Sequence, residues 1–141
     1  MERERMEVFL ELFREEPPVY IQGLERDARQ QGVPIIRRGT GDVLRFLLRT
    51  RRPERILEVG TAVGYSALFM AEYMPENAGI TTVEKVASRL AEARRNFERH
   101  DSGKRIRLVE GDAAEVLQDL AEQGCQYDFI FMDAAKGQYL N

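Results

Sequence analysis

The chain has 141 residues, 43% of them hydrophobic and 32% charged, with a net charge of -3 at pH 7. These values suit one globular domain of ordinary composition and exclude a disordered segment, and the slight acid excess excludes a global attraction to nucleic acid. No apolar run approaches the roughly 20 residues that a membrane-spanning helix needs. Met1-Glu2-Arg3-Glu4-Arg5 is not the basic-then-apolar pattern of a secretory leader, and the single cysteine, Cys125, allows no intrachain disulfide, so a reducing cytoplasm is the expected home.

Residues 2–14 carry Met6, Phe9, Leu10 and Phe13 at helical spacing and are predicted to form a helix that Pro17-Pro18 stops. A second helix is predicted over 20–31, with Ile21, Leu24 and Ala28 on one face and Gly32 as its end. Val33-Pro34-Ile35-Ile36 is then held extended around the proline. A third helix, 40–50, brings Val43, Leu44, Phe46, Leu47 and Leu48 and closes at Arg52-Pro53. From Arg55 the rhythm changes. Strands are predicted at 55–60, 79–84, 105–110 and 127–133, and helices at 65–74, 86–99 and 112–122. Strand-helix-strand repeats with short connections imply an α/β fold, a Rossmann-like parallel sheet with helices on both faces. Residues 1–52 read as a helical lid or shoulder on the core formed by 53–141, all within one domain.

The most informative stretch is Ile56-Leu57-Glu58-Val59-Gly60-Thr61-Ala62-Val63-Gly64-Tyr65-Ser66. A short apolar run, a turn with two glycines four apart and a helix start together describe the crevice where open α/β sheets bind ligands. A dinucleotide fingerprint would need glycine where Ala62 and Tyr65 stand. Glu58 is the unusual residue, because a carboxylate inside a strand costs free energy unless something positive or hydrogen-bonding meets it. A pyrophosphate gives no use for that charge, whereas the sulfonium and ammonium of S-adenosylmethionine do. The plain alternative is an ordinary strand-to-helix turn with Glu58 solvated at a sheet edge.

Ligands of such sheets sit beyond the carboxyl ends of the strands. The second strand ends in Glu84, 24 residues after Gly60, near the separation at which an acid receives ribose hydroxyls. The third ends in Gly111-Asp112-Ala113, a turn suited to a flat base, and the fourth in Asp133, with Lys136 following. Singly, Glu84 reads equally well as a surface acid and Asp112 as a helix N-cap. Together the four acidic strand ends suit a ligand with a ribose, an adenine and a cationic centre.

Glu58-Val59-Gly60-Thr61-Ala62-Val63-Gly64-Tyr65-Ser66, Thr82-Val83-Glu84, Gly111-Asp112-Ala113 and Phe131-Met132-Asp133-Ala134-Ala135-Lys136-Gly137 resemble the class I, cation-dependent O-methyltransferases, the family of catechol and caffeoyl-CoA O-methyltransferases. Val33-Pro34-Ile35-Ile36 and the closing Asp-Ala-Ala-Lys-Gly-Gln-Tyr look most like its bacterial branch that methylates 5-hydroxyuridine at the tRNA wobble position. The resemblance implies S-adenosylmethionine as cofactor. Ser66 and the turn of Gly60, Thr61, Gly64 and Tyr65 would bind its methionine part, Glu84 the ribose, and Gly111, Asp112 and Ala113 the adenine. Ile36 would close over the cofactor from the front segment. Asp133 would border the cofactor and be one ligand of a divalent cation, usually magnesium, and Lys136 would be the general base beside it.

A hard cation on an enol or phenol oxygen lowers its pKa, and a lysine near that cation can accept a proton near neutrality. A surface lysine in a loop is the plain reading of Lys136. The sole histidine, His100, reads as a surface residue compatible with a helix C-terminus. The sequence ends before the Asp-Asn pair that completes the family's metal site, so we expect a C-terminally truncated chain that is inactive alone and leaves Phe129-Ile130-Phe131 as an apolar sheet edge. The acceptor is expected to be tRNA or a small hydroxylated aromatic, and the assembly a homodimer. The arginines at 37, 38, 49, 51, 52 and 55 fit either an RNA-facing patch or ion pairs at helix ends. A non-catalytic S-adenosylmethionine-binding module and a nucleotide-dependent oxidoreductase remain as alternatives.

Overall fold

A computed structural model describes residues 2–12 and 14–133, with residues 10–12 as backbone only. Three helices come first, α1 (Glu2–Leu12), α2 (Val19–Gln30) and α3 (Arg38–Arg51). The alternating part follows with β1 (Arg55–Val59), α4 (Tyr65–Tyr73), β2 (Gly79–Glu84), α5 (Ala87–Arg99), β3 (Ile106–Glu110), α6 (Ala113–Glu122) and β4 (Phe129–Met132). A 3-10 turn over Asp101–Arg105, which the sequence pattern did not indicate, leads into β3. The reading at 134–141, Lys136 included, falls outside the described residues.

The strands are parallel in the order β3-β2-β1-β4. Alternation of side chains along β1 feeds two cores. Ile56 packs with Ala67, Leu68 and Met70 of α4 and with Ala93 and Phe97 of α5 on one face. Leu57 packs with Val83 and with Val116 and Leu120 of α6 on the other. Helices therefore lie on both faces, as the strand-helix rhythm predicts. Pairing at the rim of β1 is continued by Gly60 N–H and Thr61 N–H, which both donate to the Val83 carbonyl, at 2.9 and 3.2 Å.

Two helix ends show how the chain is steered back into the sheet. Gly32, at φ 68°, ends α2 with its N–H on the Arg29 carbonyl and the Val33 N–H on the Ala28 carbonyl. Gly124, at φ 74°, ends α6 the same way, through Ala121 and Leu120. Both are Schellman closures, in which only a residue tolerant of positive φ satisfies the last carbonyls. The shoulder is tied down by charge. Glu25 is buried on α2 between Arg29 and Arg38, at 3.0 and 3.2 Å, and Glu15 takes both terminal nitrogens of Arg49. The basic residues at 38 and 49 thus form ion pairs across the shoulder.

His100 differs from its reading as a surface residue. It caps the C-terminus of α5, but its ring stacks on Tyr20 with centroids 4.3 Å apart. Tyr20 in turn donates to Glu72, which also accepts from Ser102 at 2.6 Å. This polar knot joins α2, α4 and the 3-10 turn. Burial and the Glu72 bond both raise the Tyr20 phenol.

Candidate active site

Glu58 is fully buried on the central strand, not solvated at an edge. Strand alternation points it towards α4, where the Ser66 hydroxyl donates to one carboxylate oxygen. The Thr82 hydroxyl, directly across the β1–β2 ladder, donates to the other at 2.6 Å. Having spent its proton on Glu58, Thr82 accepts from Thr61, 2.6 Å away. Burial pushes the Glu58 carboxyl from 4.5 up to about 7, the negative charges of Asp133 and Glu84 add to the rise, and the two hydroxyls oppose it. Glu58 therefore feels the charges of both Glu84 and Asp133.

The turn above Glu58 is shaped by backbone conformations that side chains resist. Gly60 has φ 97° and Gly64 φ 90°, and between them Ala62 is left-handed at φ 48°. Glu84 holds this conformation: one carboxylate oxygen accepts the Ala62 N–H at 2.9 Å, the other those of Lys85 and Val86 at 2.9 and 3.3 Å. Asn96 of α5 braces the turn from behind, donating to the Val63 carbonyl at 2.7 Å. Gly64 serves a different purpose from the one its spacing suggests. A Cβ there would lie 2.6 Å from the Phe97 ring, so the glycine admits α5 and not a ligand.

A cavity of about 210 Å³ opens at the carboxyl ends of β1, β2 and β3. Gly60, Glu84, Gly111, Asp112 and Ala113 line it, together with Lys85, which the sequence reading passed over. Asp112 is also the N-cap of α6, accepting the Ala114 N–H at 3.0 Å. Thr61 and Ser66 are buried behind this cavity beside Glu58. Ile36 and Tyr65 are placed elsewhere, in a narrow recess between the shoulder and α4 that Phe69 and Arg38 also line. Burial there pushes the Tyr65 phenol up to about 12. Thr82 and Asn96 were missed. Thr82 was accessible in principle, since parallel pairing of 55–59 with 79–83 sets it opposite Glu58, whereas Asn96 needed the placement of α5.

Asp133 ends β4 with its N–H on the Val59 carbonyl at 3.1 Å and its side chain exposed. Among the described residues no three His, Cys, Asp or Glu side chains gather as a metal site requires. Magnesium takes six oxygens in tight geometry, and one carboxylate does not meet that demand. By themselves the described residues do not build a closed cation site.

The O-methyltransferase family model matches residues 15–141. The chain belongs to the O-methyltransferase family. It is 34% identical over 100 residues to a catechol O-methyltransferase of Niastella koreensis, covering 70% of this chain and 45% of that protein. It is 33% identical over 104 residues to a caffeoyl-CoA O-methyltransferase of Stellaria longipes, covering 72% and 43%. The chain thus spans a little under half the length of these curated relatives. Among solved structures, the S-adenosylhomocysteine-bound methyltransferase PaMTH1 of Podospora anserina superposes with a TM-score of 0.82 at 29% identity, over 99% of this chain and 61% of that one. The O-methyltransferase TomG of Streptomyces achromogenes, in complex with S-adenosylmethionine, gives 0.80 at 26% identity, over 99% and 65%. Among the described residues no helix is long and apolar enough to cross a membrane.

Proposed function

We propose that this chain carries the cofactor site of an S-adenosylmethionine-dependent O-methyltransferase whose acceptor is 5-hydroxyuridine at the tRNA wobble position. The observation that carries the cofactor reading is the acid-rimmed cavity of Gly60, Glu84 and Gly111 to Ala113 at the strand ends, above a buried Glu58. Three of the roughly four lone-pair sites of Glu84 take backbone N–H groups, so Oε1, which accepts from Ala62 alone among these, keeps room for a ribose hydroxyl. In the transfer the acceptor oxygen forms a bond to the methyl carbon as the carbon–sulfur bond breaks, and the sulfonium leaves as a neutral thioether. The acceptor's proton goes to a base, the role the resemblance gives Lys136. The protein's task is to align methyl, sulfur and oxygen. The resemblance adds a divalent cation at Asp133; no step here passes through it, and transfer assayed with and without magnesium decides whether it takes part.

Calorimetry with S-adenosylhomocysteine tests the cofactor reading. Glu84→Gln halves the charge-assisted acceptor set and lets the Ala62 turn relax, so binding should weaken about tenfold or more, on the order of 1.4 kcal/mol. Equal affinity in the variant, or tight binding of NAD by the parent chain, sinks it. A small catechol or phenol acceptor is the second reading, favoured by the relatives being a catechol and a caffeoyl-CoA O-methyltransferase. Mass spectrometry of tRNA from a strain lacking the protein separates the two. Wobble 5-methoxyuridine that persists at its parental level leaves only the small acceptor.

A further inference from the structure

The sheet has a second hollow, at the end opposite the strand-end cavity. A groove of about 480 Å³ opens at the amino ends of β1, β2 and β3. Strand alternation places Arg55 and Arg107 on the face that carries Leu57, the face on which α6 packs. The register sets Arg55 beside Gly79 and Arg107 beside Thr81. The two arginines therefore stand on either side of β2, two strand spacings or roughly 10 Å apart across the sheet. Only Gly79 and Thr81 form the floor between them. α6 covers Leu57 and Val83 through Val116 and Leu120, higher on the same face, and leaves the two arginines exposed.

The charges here are not used up within the chain. Arg38 and Arg49 are spent on Glu25 and Glu15, but the guanidinium groups of Arg55 and Arg107 form no ion pair among the described residues. Asp128 feels Arg55, yet its two oxygens accept the backbone N–H groups of Glu54 and Arg55. Lys104 adds a third cation to the lining; its pair with Asp101 is almost wholly in water and therefore weak. Glu54 is the one acid of the lining, and its Oε1 accepts from Asn77. Arg105 turns its guanidinium away, onto the carbonyls of Ala71 and Pro75. Tyr127 forms a wall of the groove, half-buried against the Leu57 cluster.

We propose that this groove binds a nucleotide, its phosphate between Arg55 and Arg107 and its base against the Tyr127 ring. Guanidinium forks match phosphate oxygens, and a floor of glycine and threonine lets the phosphate come down between them. The Thr81 hydroxyl adds a neutral donor, and an aromatic ring beside a cationic groove accepts the flat face of any base. A free nucleotide and one residue of an RNA strand present the same base and phosphate. The groove and the cofactor cavity lie at opposite ends of strands of five or six residues, so the two ligands do not compete. The site stands independently of the methyl-transfer reading.

Titration of the full 141-residue chain with uridine 5′-monophosphate, followed by the NMR shifts of its backbone amides, tests this. Gly79, Thr81, Arg107 and Tyr127 should move, and Gly60 and Gly111 at the opposite rim should not. Arg107→Gln should weaken binding about tenfold or more, and adding Arg55→Gln should abolish it. Both side chains are exposed, so circular dichroism should be unchanged. Arg94→Gln, at an exposed arginine of α5 outside the groove, should bind as the parent does. Tyr127→Leu should weaken the nucleotide but not inorganic phosphate. Shifts confined to Gly60 and Gly111, equal losses in Arg107→Gln and Arg94→Gln, or no saturation at millimolar nucleotide overturn the proposal. So does Tyr127→Leu if it weakens both probes alike. A short oligouridylate separates the two sources. Binding about tenfold tighter than the mononucleotide's, and falling with added salt, assigns the groove to an RNA strand, whereas equal affinity assigns it to a free nucleotide.

Discussion

Glu58 keeps a carboxyl at the centre of the sheet with the Ser66 and Thr82 hydroxyls as its hydrogen-bond donors among the described residues, and its proton is a stability variable. The folded-state value of about 7 lies above the ordinary 4.5, so the folded chain holds the proton over a window in which the unfolded chain has released it. Its contribution is therefore fully present below about 4.5 and is lost as pH rises through 7, on the order of 3 kcal/mol in all. Asp128 works in the opposite direction: the backbone N–H groups of Glu54 and Arg55 hold its carboxyl low, so its contribution is lost only in acid. The two windows do not overlap. Denaturant melts of the parent chain and Glu58→Gln should diverge in one way: the parent loses stability relative to the variant between pH 4.5 and 7, and the gap is constant above. A gap that does not change with pH would falsify the raised carboxyl. Burial of Glu58 could be read from its place in an apolar run between Leu57 and Val59. Its protein partners could not, because they depend on which hydroxyls the neighbouring strand and helix bring.

At the scale of elements, the glycine turn between β1 and α4 is built as much for α5 as for a ligand. Gly64 combines φ 90° with the Phe97 ring against its α-carbon, so Gly64→Ala meets both backbone strain and a clash. A cost of about 1–3 kcal/mol is expected from the strain, with more from the overlap. Adding Phe97→Leu should recover the overlap part and not the strain part, measurable as a partial rise in melting temperature over Gly64→Ala alone. No recovery would mean that the ring is not the obstacle. The elements themselves were legible: β2 spans Gly79–Glu84 as predicted, and α2 and α4 begin or end within a residue of expectation. The 3-10 turn was not, because Asp101-Ser102-Gly103-Lys104-Arg105 has no apolar period to read. Gly103 there is forced by contact, since a Cβ would sit 1.9 Å from the Phe97 carbonyl oxygen. Ile36 and Tyr65 stand apart from the strand-end cavity for a related reason. The sequence orders residues along a turn, but the packing of the shoulder decides which recess each one lines.

Across the whole molecule, the two faces of the sheet are finished unequally. α4 and α5 cover one side, where Phe129 and Phe131 pack, whereas α6 leaves Ile130 58% exposed on the other. Among the described residues β4 pairs with β1 alone. The parallel order also has a temporal side. β1 joins β2, its nearest strand in sequence, on one flank, and β4, the last strand, on the other, with Asp128 clasping the Glu54 and Arg55 amides. Closing a long loop costs more chain entropy than closing a short one, and non-local pairs form late. We therefore expect refolding to assemble β1, β2 and β3 first and to seat β4 afterwards, so that the cavity at the ends of the first three strands exists before β4 joins the sheet. Pulse-labelled hydrogen exchange should protect β2 amides ahead of those of β4; simultaneous protection would show the sheet closing in one step.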